Sequence, residues 1–291
     1  MRKIPQHSSN VYHVTYYFGT VFSVAKILLI PIGRTQDNVC EKTMSRIIIT
    51  DVHGCYDTLV ALVAKLPKGI PITFAGDLID RGPKSRQVVE FVKDGGHDCV
   101  LGNHEKMMMN ELHFRPKHNE PEVEQVFING YDGIWERNGG DVCLWSYLIN
   151  QPIDPDQVLP KVHDIAALKD HVAWMKTLPL FLEYNDVGDD KGRHLLVTHS
   201  TAAAVWGSLD PCHPGFENAI LWDRDPSPPA IEGIFNVYGH TPQKGGATVK
   251  DHFACIDTGC AYNNNPNYGK LTAIQFPEMI LFEQENVEEL S

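Results

Sequence analysis

Along this chain, short apolar runs give way abruptly to polar clusters. Ile47-Ile48-Ile49 leads into Asp51-Val52-His53-Gly54, Ile72-Thr73-Phe74 into Gly76-Asp77-Leu78-Ile79-Asp80-Arg81-Gly82, and Cys99-Val100-Leu101 into Gly102-Asn103-His104-Glu105. Later, Leu195-Leu196-Val197 runs into His199, and Phe235-Asn236-Val237-Tyr238 into Gly239-His240-Thr241. Runs of this length predict strands. Between the first three, Leu59, Leu62, Val63 and Leu66 recur at helical spacing, and Val88, Phe91 and Val92 do so before Gly95-Gly96 supplies a stop. The alternation predicts an α/β sheet covered by helices, in which ligands collect outside the carboxyl ends of the strands. All five polar clusters stand at such ends. From Glu105 to His194 the chain reads as mostly helical, with Trp135, Trp145, Trp174 and Pro152, Pro155, Pro160, and is taken as a cap over about residues 106–193.

Composition narrows the class. A chain of 291 residues with 43% hydrophobic and 21% charged residues excludes disorder, collagen and coiled coil as the main architecture. The net charge of −12 argues against a protein that grips nucleic acid through phosphate contacts. The 7 cysteines form no CxxC pair and read as thiols in a reducing, cytoplasmic compartment. Val14 to Ile32 is interrupted by Thr15, Ser23 and Lys26 and ended by Pro31, too broken for a spanning helix, so no membrane is expected. A strand pattern begins directly after Met44, so residues 1–43 read as an N-terminal extension, either an appendage or a misassigned translation start, and residues 44–291 as one catalytic domain.

Asp51, His53, Asp77, Asn103, His199 and His240 combine imidazoles, carboxylates and a carboxamide, a mixed N/O set suited to Mn, Fe or Zn. That is too many ligands for one closed structural ion and suits two, with Asp77 as the candidate bridge. Two divalent ions against two carboxylates leave a positive site that favours phosphate. Arg81 and Arg224 add forked donors for phosphate oxygens. A water held by such ions ionises near neutrality, so no protein base is needed. His104, beside Asn103, is the best general acid, with Asp80 placed to orient its ring and raise its pKa.

Four of these clusters, Asp51-Val52-His53-Gly54, Gly76-Asp77-Leu78-Ile79-Asp80-Arg81-Gly82, Gly102-Asn103-His104-Glu105 and Gly239-His240-Thr241, in this order resemble the signatures of the phosphoprotein phosphatases among the calcineurin-like metallophosphoesterases. The similarity runs from about Arg46 to Phe276 and is nearest the bacterial and phage serine/threonine phosphatases of the lambda-phosphatase type. Asn138-Gly139-Gly140, Leu178-Pro179-Leu180, Leu221-Trp222-Asp223-Arg224 and Ile256-Asp257-Thr258-Gly259 support it. The resemblance implies a four-layer αββα sandwich with two divalent ions, Mn²⁺ first, with Fe, Zn or Ni as other options. One ion would take Asp51, His53 and Asp77; the other would take Asp77, Asn103, His199 and His240. Asn103 would also face substrate with Arg81 and Arg224, and His104 with Asp80 would form the acid pair. Metal-bound hydroxide would attack in line without a phosphoenzyme.

Three positions depart from the family pattern: Thr50 before the first Asp, Ser200 after the fifth ligand, where the phosphate-side wall is expected to differ, and the Asn263-Asn264-Asn265-Pro266-Asn267 turn. The leading expectation is a serine/threonine protein phosphatase acting on phosphoprotein or a small phosphate ester. The alternative is a symmetrical bis(5′-nucleosyl)-tetraphosphatase, whose core signatures are nearly the same. A second alternative, an inactive phosphate-binding module, predicts a lost ligand or acid, and none is lost.

Overall fold

The computed structural model describes residues 44–118, 120–128, 133–147 and 165–289. The expectations for residues 1–43 and for Pro152, Pro155 and Pro160 lie outside them.

The first sheet contains β1 (Arg46–Ile49), β2 (Ile72–Phe74), β3 (Asp98–Cys99), β11 (Lys270–Phe276) and β12 (Ile280–Glu285), in the order β12-β11-β1-β2-β3. β1, β2 and β3 are parallel, while β11 and β12 join antiparallel. The second sheet runs β6-β7-β8-β10-β9, from β6 (Phe181–Gly188), β7 (His194–Thr198), β8 (Ile234–Tyr238), β9 (Thr248–Val249) and β10 (Phe253–Cys255). Its β7, β8 and β10 are parallel.

The apolar runs are continuous because both faces of each sheet are covered. Ile47 and Ile49 pack with Leu59 and Leu62 of α1 (Tyr56–Val63) and Val88 and Val92 of α2 (Ser85–Asp94). Ile48 between them turns the other way, joining Leu195, Val197, Phe235 and Val237 of the second sheet. Leu196 and Ile234 pack outward on Phe216 and Ile220 of α6 (Pro214–Trp222). Helices, sheet, sheet and helix thus form the four expected layers. The parallel pairing puts the polar loops after β1, β2 and β3 at one edge of the first sheet, and those after β7 and β8 at one edge of the second.

The region between the sheets' halves is less helical than the sequence suggests. α3 (Asn103–Glu111), α4 (Gly140–Trp145) and α5 (Ile165–Met175) share it with a hairpin of β4 (Leu112–Lys117) and β5 (Glu120–Ile128). Leu112 and Phe114 opposite Ile128 and Val126 alternate with period 2, and these residues pack on the helix-side core, which favours strands over a helix. β6, inside the expected cap, is an edge strand of the second sheet. Met107 and Met108 are core residues.

Candidate metal centre

Six non-glycine residues at the strand ends hold left-handed backbones: Asp51 (φ 49°), His53 (46°), Asp77 (52°), Asp80 (73°), Arg81 (65°) and His240 (68°). Each such residue costs on the order of 1–3 kcal/mol and persists only where its surroundings over-determine it. All six belong to the polar clusters. Their loops interlock through the backbone: His53 N–H donates to Asp77 O (2.9 Å), Gly54 N–H to Leu78 O (2.8 Å) and Gly82 N–H to His53 O (2.9 Å). Gly239 is required by close approach, since a Cβ there would lie 1.9 Å from Asp51 Oδ2 and 2.7 Å from Thr50 Cβ.

The side chains converge on Asp77. His199 Nδ1–H donates to Ala75 O at 2.9 Å, which leaves its Nε2 without a hydrogen. That lone pair stands 2.8 Å from Asn103 Oδ1, 3.2 Å from His240 Nδ1 and 3.4 Å from Asp77 Oδ1. His53 Nδ1 is committed to Ile79 O at 2.9 Å in the same way, and its Nε2 lies 3.6 Å from Asp77 Oδ2 and 3.9 Å from Asp51 Oδ1. Acceptors facing acceptors in a buried site fit a cation. Ligands set at right angles about 2.0–2.2 Å from one ion are about 3.0 Å apart, which matches the Asp77/Asn103/His199/His240 group. On the other side, His53, Asp77 and His104 present mutually close donor atoms. The Asp51 carboxylate also accepts His240 N–H, at 3.0 and 3.2 Å.

His104 Nδ1 lies 2.5 Å from Asp80 Oδ2, the predicted pair. Arg81 reaches two rings, His53 Nε2 at 2.5 Å and His104 Nε2 at 2.9 Å. Donation by Arg81 leaves His104 neutral with its proton on Nδ1. Burial first, then the Arg81 charge, hold the His104 pKa well below the usual imidazole range, whereas the sequence reading has Asp80 raising it. Burial also lowers His199 to about 4 and His240 to about 2, and raises the Asp77 carboxyl to about 7. Arg224 stands exposed beside this group and its charge depresses His199 and His240 further.

Several residues have roles that the sequence reading leaves unassigned. Glu105, fully buried, accepts Asp77 N–H (3.0 Å), Leu78 N–H (2.8 Å) and Gly102 N–H (3.0 Å), and so ties the start of α3 to the loop after β2. Trp135, buried, donates Nε1–H to the Asp80 carboxylate at 2.9 and 3.0 Å. Gly139 (φ 97°) lets the following turn press on Arg81, whose N lies 2.6 Å from where a Cβ would be. Asp257, buried, is pushed up to about 7, chiefly by burial. Ser200 does not face the site: its Oγ lies 2.7 and 2.8 Å from the Ala219 and Ile220 carbonyls of α6.

The calcineurin-like phosphoesterase pattern matches residues 44–244. The chain belongs to this family. Curated relatives of this phosphoesterase include the asymmetrical bis(5′-nucleosyl)-tetraphosphatase PrpE of Bacillus velezensis, 29% identical over 79% of this chain and 88% of that protein. They also include the symmetrical bis(5′-nucleosyl)-tetraphosphatase of Cronobacter sakazakii, 28% identical over 83% of this chain and 94% of that protein. A solved serine/threonine phosphatase from Saccharomyces cerevisiae matches the phosphoesterase with a TM-score of 0.49 and 14% identity, over 86% of this chain and 82% of that one. Among the described residues no helix is long and apolar enough to cross a membrane.

Proposed function

We propose that this phosphoesterase hydrolyses dinucleoside tetraphosphates, which moves the sequence's alternative ahead of the serine/threonine phosphatase reading. The observation that carries this reading is similarity along nearly the whole length of two kinds of bis(5′-nucleosyl)-tetraphosphatase, 88% of one and 94% of the other. The four signatures alone serve both readings, because each describes the phosphorus chemistry and none describes what the phosphorus is attached to.

In this reading Asp51, His53, Asp77, Asn103, His199 and His240 hold two divalent ions. When bound, the ions supply hydroxide near neutral pH and draw charge from the phosphate oxygens. Arg81 and Arg224 bind the phosphate chain, with Asn103 beside them. An incoming phosphate draws the Arg81 guanidinium off the imidazoles, and His104 Nε2 is then free to take up a proton. The attacking oxygen forms a new bond to phosphorus, the bridging P–O bond breaks, and the His104 proton passes to the departing oxygen. Asp80, held by Trp135, keeps the ring aligned. The described cysteines are free thiols, which supports a cytoplasmic setting.

The test is a substrate panel with Mn²⁺ added. Diadenosine tetraphosphate is expected to give adenine nucleotides, two ADP or ATP with AMP, the ratio reporting which anhydride is cut. A phosphoserine peptide is expected to release phosphate far more slowly. The reverse preference overturns the reading.

A further inference from the structure

A cavity of about 620 Å³ opens beside the metal centre, with Arg224 on its wall. That volume exceeds what a phosphate needs and lies within the range of small-molecule sites. Thr241, the residue after His240, lines it on one side, and the loop that follows Gly259 lines the other. Tyr262 in that loop lies with its ring 5.2 Å from the Arg81 guanidinium carbon, yet remains 39% exposed, so it joins the phosphate-facing residues to the cavity and keeps surface available. Tyr268 stands across from it, the two ring centroids 6.0 Å apart and tilted by 57°. Asn263, Asn264 and Asn265 fill the wall between them.

The loop is shaped before anything binds. Tyr262 N–H donates to Gly259 O (2.9 Å), Asn265 N–H to Tyr262 O (3.0 Å), Tyr268 N–H to Asn265 O (3.0 Å) and Gly269 N–H to Gly259 O (2.9 Å). Asn265 Oδ1 is used within the loop, accepting Asn267 N–H at 3.1 Å. The Asn263 and Asn264 carboxamides remain to read a ligand. The lining carries aromatic rings, carboxamides, a hydroxyl and one guanidinium, with no carboxylate among them. A flat ring with donors and acceptors around its edge, one short link from a phosphate, is the chemistry this wall matches: rings stack, and carboxamides pair with a base edge in two directions.

We propose that the cavity beside Arg224 receives the nucleobase and ribose of the substrate, with Tyr262 as the stacking surface and Asn263 and Asn264 as the base-reading groups. This assignment rests on the tetraphosphatase reading. It makes the asparagine-rich turn after Asp257-Thr258-Gly259 the element that distinguishes nucleotide from other phosphates.

The experiment compares AMP with ribose 5-phosphate, which differ only by the base, as ligands of the Mn²⁺-loaded protein by calorimetry. AMP is expected to bind about tenfold tighter. Tyr262→Ala is expected to bring the two within about threefold, Tyr262→Phe to keep the difference, and Asn263→Ala with Asn264→Ala to reduce it. Circular dichroism and ribose 5-phosphate affinity check that the variants remain folded. Equal binding of the two ligands by the unsubstituted protein, or an unchanged ratio in Tyr262→Ala, overturns the assignment. So does a loss in Tyr262→Ala confined to phosphopeptide turnover, which would make the cavity a peptide subsite. Turnover of diadenosine tetraphosphate is scored separately: its absence defeats the tetraphosphatase reading whatever the binding ratio, and its presence with an unchanged ratio defeats only the cavity assignment.

Discussion

The two ends of the first sheet treat polar atoms in opposite ways. Where β1 and β3 begin, Arg46 donates to Asp98 at 2.7 Å and to Thr73 Oγ1 at 3.1 Å, its guanidinium lies 3.8 Å from the Tyr184 ring centre, and Tyr184 OH donates to Asp98 at 2.9 Å. Donors meet acceptors there, and a cation meets a carboxylate. Where the parallel strands end, His199 Nε2 meets Asn103 Oδ1 and Asp77 Oδ1, lone pair against lone pair. In the first, charge is balanced within the chain, the guanidinium resting on a carboxylate, although Arg46 Nε itself keeps no partner among the described residues. The second leaves buried charge-attracting atoms for something positive to satisfy, and it is also where six of the seven left-handed non-glycine residues among the described residues gather. A polar cluster that balances itself is structural; one that does not is a binding site.

Removing the cation from the unbalanced end is expected to have the largest effect. Chelation, or Asp77→Asn with metal restored, should lower kcat by about 10³-fold or more, because several kcal/mol of charge stabilisation is lost at about 1.4 kcal/mol per decade. Initial rates with and without re-added Mn²⁺ measure it, and full activity after exhaustive chelation would break the contrast. Next, His104→Asn should cost about 10²-fold or more on phosphoserine, whose departing alkoxide needs a proton, and clearly less on p-nitrophenyl phosphate, whose departing phenolate is a weak base. An equal loss on both would remove His104 from the proton-transfer role.

A smaller effect follows from Asp77 itself, whose carboxyl is raised to about 7 by burial. Below that pH the group is mostly protonated, and burial raises the Asp51 carboxyl as well, so cations must displace protons and affinity should rise by at least about tenfold per pH unit up to about 7. His199, lowered to about 4, and His240, lowered to about 2, are already neutral above pH 5 and add no slope there. Calorimetry at pH 6 in buffers of different ionisation enthalpy reads the released proton; none released would contradict the sign. At the balanced end, Arg46→Met should lower unfolding stability by about 0.5–1.5 kcal/mol through the lost hydrogen bonds to Asp98 and Thr73, both of which keep Tyr184 OH as a partner, with kcat within about twofold of the parent. A catalytic defect there would erase the distinction between the two ends.

Much of the frame is legible in the amino-acid pattern because it is local. Three isoleucines in a row report a strand covered on both faces, and Asp, His or Asn directly after such a run reports a strand end. What escapes that reading depends on partners far along the chain. Glu105 stands inside a visible signature, but the N–H groups it binds include Asp77 and Leu78, 28 and 27 positions away. Trp135 meets Asp80 across 55 positions. The β4–β5 hairpin is missed because its alternation is broken by charged and proline residues, and a bare helical pattern fits short stretches of it equally well. Positive φ at Arg81 has no compositional sign at all, since arginine does not favour that conformation and the interlocked loops impose it. The proposed seat of substrate choice is hidden for a similar reason: from the amino-acid pattern the turn of asparagines reads equally as a substrate contact or an ordinary loop, and its tyrosines are seen beside Arg81 and Arg224 only in the fold.

The indole of Trp135 reaches Asp80 from the stretch inserted between α3 and α5. Through that indole the stretch touches the predicted acid pair. Recombining it with the corresponding segment of another member would exchange the hydrogen-bond donor that steadies the acid's carboxylate, so a graft meant to change selectivity would alter turnover as well. Chimeras that preserve an indole at this position should be the ones that stay fast.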